Sequence, residues 1–459
     1  MNTNCKKVIL NRDDYQLIGK IRPRSTNEIR NSNWTLGCEV LDRDFADYEQ
    51  YKKFIVPLGI KTIRLQGGWA KTEKVSGVYD FDWLDKVIND AISRGLNILL
   101  ETDYGNPIYE GAGGYDLGAG FPTSEAGLTA WDKWVEAIAI HYKGRVRDWA
   151  MWNEPDINIK NTAESVVSLN IRTAEIIKRV IPDARIGGLS LAWIGGKRIA
   201  FWDECLRIIK EKNALHLFTW FIYHLYEVNP DDNSLPLEAT KKLLKEYSSE
   251  IHLRQGESGC PSEEAHRFAL SGVQWTEFSQ AKWDLRRMLG DLGHDVESSI
   301  FTICDFNHIG REINRKGLIR GNADHSVVGP KQAYYSMQNL TSVFDDHWTR
   351  ISTGKAAILY NKSLAFYHYQ NKKNNAPLMV FWDCSERPAE LAETSAAQVV
   401  LQETINNPVW VDLLSGNVYK IPETSIAKIK GMVVFKDVPI YDSPCLITDK
   451  DTLVISECK

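Results

Sequence analysis

The feature that most constrains this chain is an alternation of short β-rich runs with longer segments of helical periodicity. The β-rich runs span residues 33–40, 61–69, 97–105, 148–156, 185–193, 217–228, 251–259 and 298–306. The segments of helical periodicity include residues 81–95, 131–144, 165–182, 278–293 and 331–344. Eight strands alternating with eight helices predict a (β/α)8 TIM barrel. The near-continuous apolar runs also favour a parallel sheet that is covered on both faces.

The main alternative is a doubly wound open sheet, which should carry a glycine-rich phosphate loop after its first strand. The sequence has no such loop there, so the barrel is preferred. After about residue 345 the segments become alternating, β-branched and turn-bounded, which is typical of an antiparallel β-sandwich. We therefore predict a catalytic barrel over residues 33–345 and a β-sandwich domain over residues 346–459. Residues 1–32 are expected to add a strand to the C-terminal domain or to cap the barrel bottom.

Composition excludes several classes of function. The 459 residues carry a net charge of −5 with interleaved acidic and basic residues, so no nucleic-acid partner is expected. The 8 cysteines form no CxxC motif or tight cluster, and we expect neither a metal site nor a cofactor. No apolar run reaches membrane-spanning length. The start lacks the apolar stretch of a signal peptide, which predicts a cytoplasmic protein, or a periplasmic or secreted one if a leader was removed. The oligomeric state is not indicated.

The stretch WAMWNEPDI, residues 149–157, ends an apolar run with an amide and a carboxylate. In a (β/α)8 barrel the active site lies at the carboxyl ends of the strands. Pro155 lacks an N–H and is expected to end the strand there, which holds Glu154 at the barrel mouth. Met151 and Trp152 should desolvate this carboxyl and raise its pKa, as a general acid requires. Asn153 is a candidate donor to a substrate hydroxyl.

A second carboxylate, Glu257, ends the seventh run, IHLRQGESG. Strands four and seven face each other across a barrel mouth. A pair of carboxylates flanking a bond is the machinery of glycoside hydrolysis. One protonates the leaving oxygen, and the other attacks the anomeric carbon or activates water.

The WNEP motif in strand four, with GES in strand seven, resembles clan A of the glycoside hydrolases, and most resembles family 39 (β-xylosidases and α-L-iduronidases) or a neighbouring family. The resemblance covers residues 33–345 in element order. It implies a retaining hydrolase that cleaves O-glycosidic bonds of plant- or host-derived glycans, such as a xylosidase-like or related exo-glycosidase. Glu154 matches the acid/base and Glu257 the nucleophile.

The resemblance also implies roles for the neighbours of the two glutamates. Asn153 matches the residue that binds the hydroxyl next to the anomeric centre. His224 and Tyr226 match a strand-six site that touches the nucleophile, and Arg64 matches a strand-two arginine that supports its charge. The chain departs from the pattern where strand eight reads FTICDFNH without a tryptophan, and where strand three has Asp103 and Tyr104 in place of a histidine.

Other strand ends supply further candidates. Glu101 is expected to form a buried ion pair with Arg64. Asp305 either binds a substrate hydroxyl or pairs with His308. The remaining substrate-binding candidates are Trp69, Tyr104, Trp193 and His308. The aromatic ones suit wall packing and a sugar platform equally well.

Two other functions use the same residues. One is a non-catalytic carbohydrate-binding protein on a decayed barrel, which the intact glutamate pair disfavours. The other is a transglycosylase. The long glycine-rich loop over residues 104–127 is expected to be either a lid or an ordinary surface loop. As a lid it would narrow the cleft into a pocket and favour exo cleavage of an oligosaccharide or glycoside.

Overall fold

The computed structural model describes residues 8–308, 312–352 and 354–457. Within these residues, eight strands pair in parallel in chain order, and the first closes on the last to form a barrel. The strands are β1 Trp34–Gly37, β2 Thr62–Gln66, β3 Asn97–Thr102, β4 Asp148–Met151, β5 Arg185–Leu191, β6 Trp220–Tyr223, β7 His252–Ser258 and β8 Glu297–Ile300. Each lies at least in large part in a predicted β-rich run, and the predicted TIM barrel is confirmed.

The helices between the strands pack their apolar faces on the barrel. The longer ones are α1 Asp82–Ser93, α2 Glu125–Tyr142, α3 Ala163–Val180, α4 Ile199–Glu211, α5 Ser234–Tyr247, α6 Glu277–Gly293 and α7 Gln332–Val343. Side-chain caps define several of their starts. Ser124 accepts from the amide of Gly127 at the start of α2, and Thr162 accepts from the amide of Ser165 at the start of α3. Such caps satisfy amides that the first helical turn leaves unpaired.

The segment between β1 and β2 differs from the expected eighth long helix. Within the described chain it holds only the short helix Tyr48–Tyr51 and 3-10 turns up to Leu58. Pro57 lies inside the last of these turns, and Gly59 follows in the left-handed region with φ 75°. Proline removes a helical donor and glycine ends a helix readily, so this segment stays a set of turns.

The C-terminal part forms two antiparallel sheets, which confirms the predicted β-sandwich. The larger sheet has the order Trp348–Arg350, Leu364–Asn371, Pro377–Asp383, Cys445–Asp449, Pro408–Asp412, Asn417–Lys420, Gln16–Ile21 and Ile455–Glu457. The smaller sheet has the order Ala356–Leu359, Ser395–Leu401, Met432–Ile440 and Ile426–Ile429. The strand Gln16–Ile21 of the N-terminal segment thus pairs within the larger sheet.

Short ribbons follow β8 and rise beside the barrel mouth. They pair Phe306–Asn307 with Ile313–Asn314 and Ile319–Gly321 with Val327–Pro330. None of the helices in residues 8–308, 312–352 and 354–457 has both the length and the apolar character needed to cross a membrane. The described cysteines are free thiols, while Cys5 and Cys458 lie outside the described residues.

Candidate active site

The end of β4 has an unusual backbone that directs Glu154 into the barrel mouth. Trp152 and Glu154 both lie in the left-handed region, with φ of 61° and 47°. The amide of Glu154 donates to the carbonyl oxygen of Ser190 in β5 at 2.9 Å, and Pro155 starts a 3-10 turn directly afterwards. Non-glycine residues in this region are strained, and such strain concentrates at functional sites. The neighbouring strand therefore fixes the chain so that Glu154 faces the cavity.

Glu154, His224 and Glu257 form a compact set across the mouth. His224 Nδ1 lies 2.8 Å from Glu154 Oε1 and 3.9 Å from Glu257 Oε2. One carboxylate oxygen of each glutamate and a ring nitrogen of His224 all lie within 4.8 Å of one another. Burial lowers the pKa of His224, but the charge of Glu257 and the hydrogen bond with Glu154 outweigh it, and this pKa lies above its usual value.

Glu257 is held as a charged carboxylate. Arg64 Nη1 donates to its Oε2 at 2.9 Å, and the Tyr226 hydroxyl donates to its Oε1 at 2.8 Å. Burial raises the pKa of Glu257, but the charges of His224 and Arg64 and these hydrogen bonds outweigh it, so that this pKa lies below its ordinary value. The group is therefore ionised at neutral pH.

Arg64 in β2 connects Glu257 to other buried acceptors. Its Nη1 also donates to Glu39 Oε1 at 2.8 Å. Its Nη2 donates to Glu101 Oε1 and to Asn153 Oδ1, both at 2.7 Å. Burial lowers the pKa of Arg64, and the surrounding carboxylates raise it well above its ordinary value. The guanidinium stays charged and orients both Glu257 and Asn153.

Glu39 is a functional candidate that the sequence analysis missed. It follows β1, lines the cavity and shares Arg64 Nη1 with Glu257. Burial raises the pKa of Glu39 to about 7, although the charge of Arg64 opposes this shift. The available signal was its place in the first β-rich run, at a strand end where barrel active sites form.

The cavity at the mouth has a volume of about 410 Å³, within the range of small-ligand sites. Seven of the sequence-predicted residues line it, namely Tyr104, Asn153, Glu154, Trp193, Tyr226, Glu257 and His308. Tyr104 accepts from Asn153 Nδ2 at 2.9 Å through its hydroxyl oxygen. Trp193 is 36% exposed, so part of its ring is open to the cavity.

Three predicted substrate-binding residues, His224, Trp69 and Asp305, are not among those that line the cavity, and the expectations for Trp69 and Asp305 are corrected. Trp69 is fully buried, donates to Glu73 and packs against Trp131 and Trp134 of α2. Its position at a strand end serves packing between the barrel and this helix.

Asp305 is the second correction. Its Oδ1 lies 2.6 Å from Lys331 Nζ, and its Oδ2 lies 3.1 Å from Arg315 Nη1. Asp305 therefore fixes the segment after β8 rather than binding a hydroxyl or pairing with His308. His308 itself packs against Phe45, with ring centroids 4.6 Å apart.

Lys316 is a further cavity-lining residue that the sequence analysis missed. It is buried, and its ammonium lies 5.7 Å from the Tyr226 ring centroid. Burial lowers the pKa of Lys316 to about 8, although nearby groups including Glu257 oppose the shift. No sequence signal identified it, because it follows the short ribbon after β8 and not a barrel strand.

The set of Glu154, His224 and Glu257 also has the spacing of metal ligands. Two carboxylates and one imidazole suit a divalent transition metal. Their hydrogen bonds, however, already engage these atoms, with His224 on Glu154 and with Arg64 and Tyr226 on Glu257. The arrangement therefore fits proton transfer and nucleophilic attack by the two carboxylates better than metal binding.

Comparison with solved structures identifies the fold. A family 39 glycoside hydrolase from the gut symbiont Bacteroides cellulosilyticus matches with TM-score 0.68 and 16% identity, over 92% of this chain and 81% of that chain. A monomeric beta-xylosidase from Caulobacter crescentus matches with TM-score 0.57 and 16% identity, over 94% and 97% of the two chains. A family 39 enzyme from Xanthomonas axonopodis pv. citri matches with TM-score 0.58 and 15% identity, over 96% and 97%.

This chain thus shares the fold of these solved glycoside hydrolases. The resemblance inferred from the WNEP and GES motifs is thereby confirmed at the level of the fold. In sequence, the family model described as beta-galactosidase (glycoside hydrolase family 42) matches residues 44–110. The beta-galactosidase BgaA of Clostridium cellulovorans is 29% identical over 98 residues, which are 21% of this chain and 12% of that relative. The sequence match thus spans a small part of the relative's length.

Proposed function

We propose that this protein is a retaining glycoside hydrolase, with Glu257 as the nucleophile and Glu154 as the acid/base. The observation that carries the proposal is the approach of the two carboxylates, with one oxygen of each within 4.8 Å of the other. Retaining enzymes separate these groups by about 5–5.5 Å, and inverting enzymes by about 6.5–9.5 Å to admit a water. The spacing supports double displacement.

In the first step, the Glu257 carboxylate attacks the anomeric carbon and the bond to the leaving oxygen breaks. Glu154 gives its proton to that oxygen, so the leaving group departs neutral. In the second step, water attacks the anomeric carbon, Glu154 takes the proton of the water, and Glu257 is released as a carboxylate. The depressed pKa of Glu257 keeps it ionised for the attack.

The neighbours fit these two roles. With its Nδ1 protonated, His224 donates to Glu154 Oε1, which leaves Oε2 to carry the transferable proton. Asn153 is held by Arg64 and Tyr104 and presents its amide at the cavity. Such fixed polar groups reduce the reorganisation that the reaction needs.

The proposal is tested by hydrolysis of a panel of aryl glycosides. The panel holds β-xyloside, β-galactoside, β-glucoside, α-L-arabinofuranoside and α-L-iduronide. We expect the wild type to turn over at least one of them, and Glu257→Ala to lose roughly 10⁴-fold or more in kcat. Azide should restore turnover in Glu257→Ala and give a glycosyl azide of inverted configuration.

The matched control is Glu250→Ala, an exposed glutamate just before the opposite end of β7, which should behave like the wild type. Full activity in Glu257→Ala, or a rescue product of retained configuration, would contradict the assignment. A chelator such as EDTA should leave the rate unchanged. A loss of activity with EDTA that zinc or manganese reverses would instead favour metal binding by Glu154, His224 and Glu257.

A further inference from the structure

A second cavity adjoins the active-site cavity on one side. It has a volume of about 530 Å³. The two cavities share a neck formed by Arg43, Tyr104, Leu117 and His308, which line both. Beyond the neck, the second cavity is lined by Asp42, Asp44, Phe45, Gly68, Ala70, Lys71, Lys74, Tyr115 and Asp116. We call it the β1–β3 cavity, because these residues follow β1, β2 and β3.

Strand order tells which part of a substrate would enter this cavity. The acid/base Glu154 protonates the leaving oxygen, so the leaving group lies on the side of Glu154. That side of the active-site cavity is lined by residues that follow β4 and β5, such as Ile157 and Trp193. The β1–β3 cavity is lined by neither of these residues, and it meets the active-site cavity at the neck, on the side of the residues that follow β1, β2 and β3. It therefore continues from the glycone, the sugar that becomes attached to Glu257.

Several contacts fix Arg43 at the neck. Arg43 Nε lies 3.3 Å from Asp42 Oδ1, its Nη2 donates to Gln66 Oε1 at 2.5 Å, and its guanidinium lies 4.9 Å from the Tyr104 ring centroid. Arg43 is thus held against one wall by partners on both sides. Leu117, which is 36% exposed, belongs to the loop that was expected to be either a lid or an ordinary surface loop. Here it forms a wall that is common to both cavities.

The lining of the β1–β3 cavity suits a sugar ring. Tyr115 is 52% exposed and lines this cavity, so it offers an aromatic face to the apolar face of a pyranose. Lys74 and Asp116 supply a donor and acceptors for sugar hydroxyls in the same cavity. A few placed polar groups among aromatic surfaces are typical of small-ligand sites.

We propose that the β1–β3 cavity is a second glycone subsite, which binds the sugar unit linked to the non-reducing side of the residue being cleaved. The substrate class is then a glycoside whose glycone is a disaccharide or longer, and the cleft is open at this end. The inference rests on the proposed function, since Glu154 and Glu257 define the two directions of the cleft.

The test compares two aryl glycosides of the sugar that the panel identifies. One carries the single sugar, and the other carries the same sugar extended by a second unit at its non-reducing end, in each available linkage. We expect the wild type to have a kcat/KM at least about tenfold higher for one extended substrate, equal to about 1.4 kcal/mol of added binding in the transition state. Ala70→Trp should fill the β1–β3 cavity, and Tyr115→Ala should remove an aromatic face. Both variants should bring the ratio of extended to single kcat/KM towards one.

The control is Val78→Trp, an exposed position in the same β2–α1 segment that lines neither cavity, and it should keep the wild-type ratio. A wild-type ratio of one or less for every linkage, with good turnover of the single sugar, would overturn the subsite and leave the hydrolase proposal standing. A ratio that stays high in both Ala70→Trp and Tyr115→Ala would also overturn it. No turnover of either substrate would overturn both proposals together.

Discussion

Arg64 donates to Glu39, Glu101, Glu257 and Asn153 at distances of 2.7–2.9 Å, inside a site where its side chain is 1% exposed. Glu257, the proposed nucleophile, therefore shares its counter-ion with Glu39 and Glu101, and its ionisation depends on how they titrate. A buried charge of this kind is stabilised only by its partners, and the partners lose their compensation when it is removed. The proposed catalysis and the stability of the fold consequently depend on the same guanidinium.

Replacing this guanidinium should affect stability and activity together. Arg64→Met should lower the free energy of unfolding by about 3–5 kcal/mol, because buried carboxylates are left without their cation. Urea unfolding measures this loss, and the aryl glycoside assay should show activity falling with it. Arg30→Met is the control, since Arg30 is 84% exposed in a surface pair with Asp346 and should cost under about 0.5 kcal/mol. Equal stability losses in the two variants would contradict the central role of Arg64.

Glu39 should give stability a specific dependence on pH. Its pKa rises from an ordinary 4.5 to about 7 on folding, because burial disfavours its charge. The folded state therefore holds a proton that the unfolded state has released, and stability falls as pH rises from about 4.5 to about 7. Glu39→Gln lacks this proton exchange. Relative to Glu39→Gln, the wild type should therefore lose unfolding free energy as the pH rises across this window. A difference that is constant from pH 4.5 to 7 would place the pKa of Glu39 near its ordinary value.

The barrel strands were predictable because each is a short apolar run bounded by helical periodicity, and the pattern repeats along residues 33–306. The segment after β1 lacks the eighth long helix that the barrel pattern predicts, because Pro57 and Gly59 favour turns there. Strand ends also told where Glu154 and Glu257 lie. They did not tell which polar residue faces inward, which is why Glu39 was missed.

Tertiary packing decided the remaining differences at the site. Trp69 looks like a sugar platform in sequence, but its ring is buried by Trp131 and Trp134, which lie some 60 residues further along the chain. Asp305 forms ion pairs with Lys331 and Arg315. Contacts between residues so far apart in the sequence leave no local pattern from which they could be predicted.

The contact between β6 and β7 depends on the absence of a side chain at Gly256, next to the proposed nucleophile Glu257. A Cβ there would lie 2.4 Å from Ile222 Cγ2 and 3.1 Å from His224 Nε2. Gly256→Ala should therefore displace His224 and Glu257, and we expect kcat to fall at least about tenfold, since small misplacements in a site are costly. The kinetics of the best aryl glycoside measure this.

Gly290→Ala is the matched control for that change. Gly290 lies in α6, and a Cβ there would meet nothing within 4 Å. Alanine is the better helix former by up to about 1 kcal/mol, so this variant should be fully active and as stable as the wild type or more so. A Gly256→Ala variant with unchanged kcat would show that β6 and β7 can separate without disturbing the carboxylates.

The barrel and the C-terminal sheets are joined by buried polar contacts from α6. Lys282 Nζ lies 2.6 Å from Asp442 and donates to the carbonyl oxygen of Ala389 at 2.9 Å. Arg286 pairs with Asp231 at 2.6 Å, and Trp382 of the sandwich donates to the same aspartate at 2.8 Å. These contacts link a barrel helix and a barrel loop to strands and loops of the sandwich.

Such a buried polar interface should make the two parts unfold together. Calorimetry of the wild type should show a single transition with matching calorimetric and van't Hoff enthalpies. Lys282→Ala leaves Asp442 without its cation at a site where the Asp442 side chain is 12% exposed. This change should lower the free energy of unfolding by about 3–5 kcal/mol. Because this cost falls on the interface alone, the transition should broaden or split as the sandwich separates from the barrel.

The control is Lys245→Ala, which changes an exposed lysine on α5 and should leave one sharp transition. Two transitions already present in the wild type would mean that the α6 contacts do not couple the parts, and that the barrel folds without support from the sandwich.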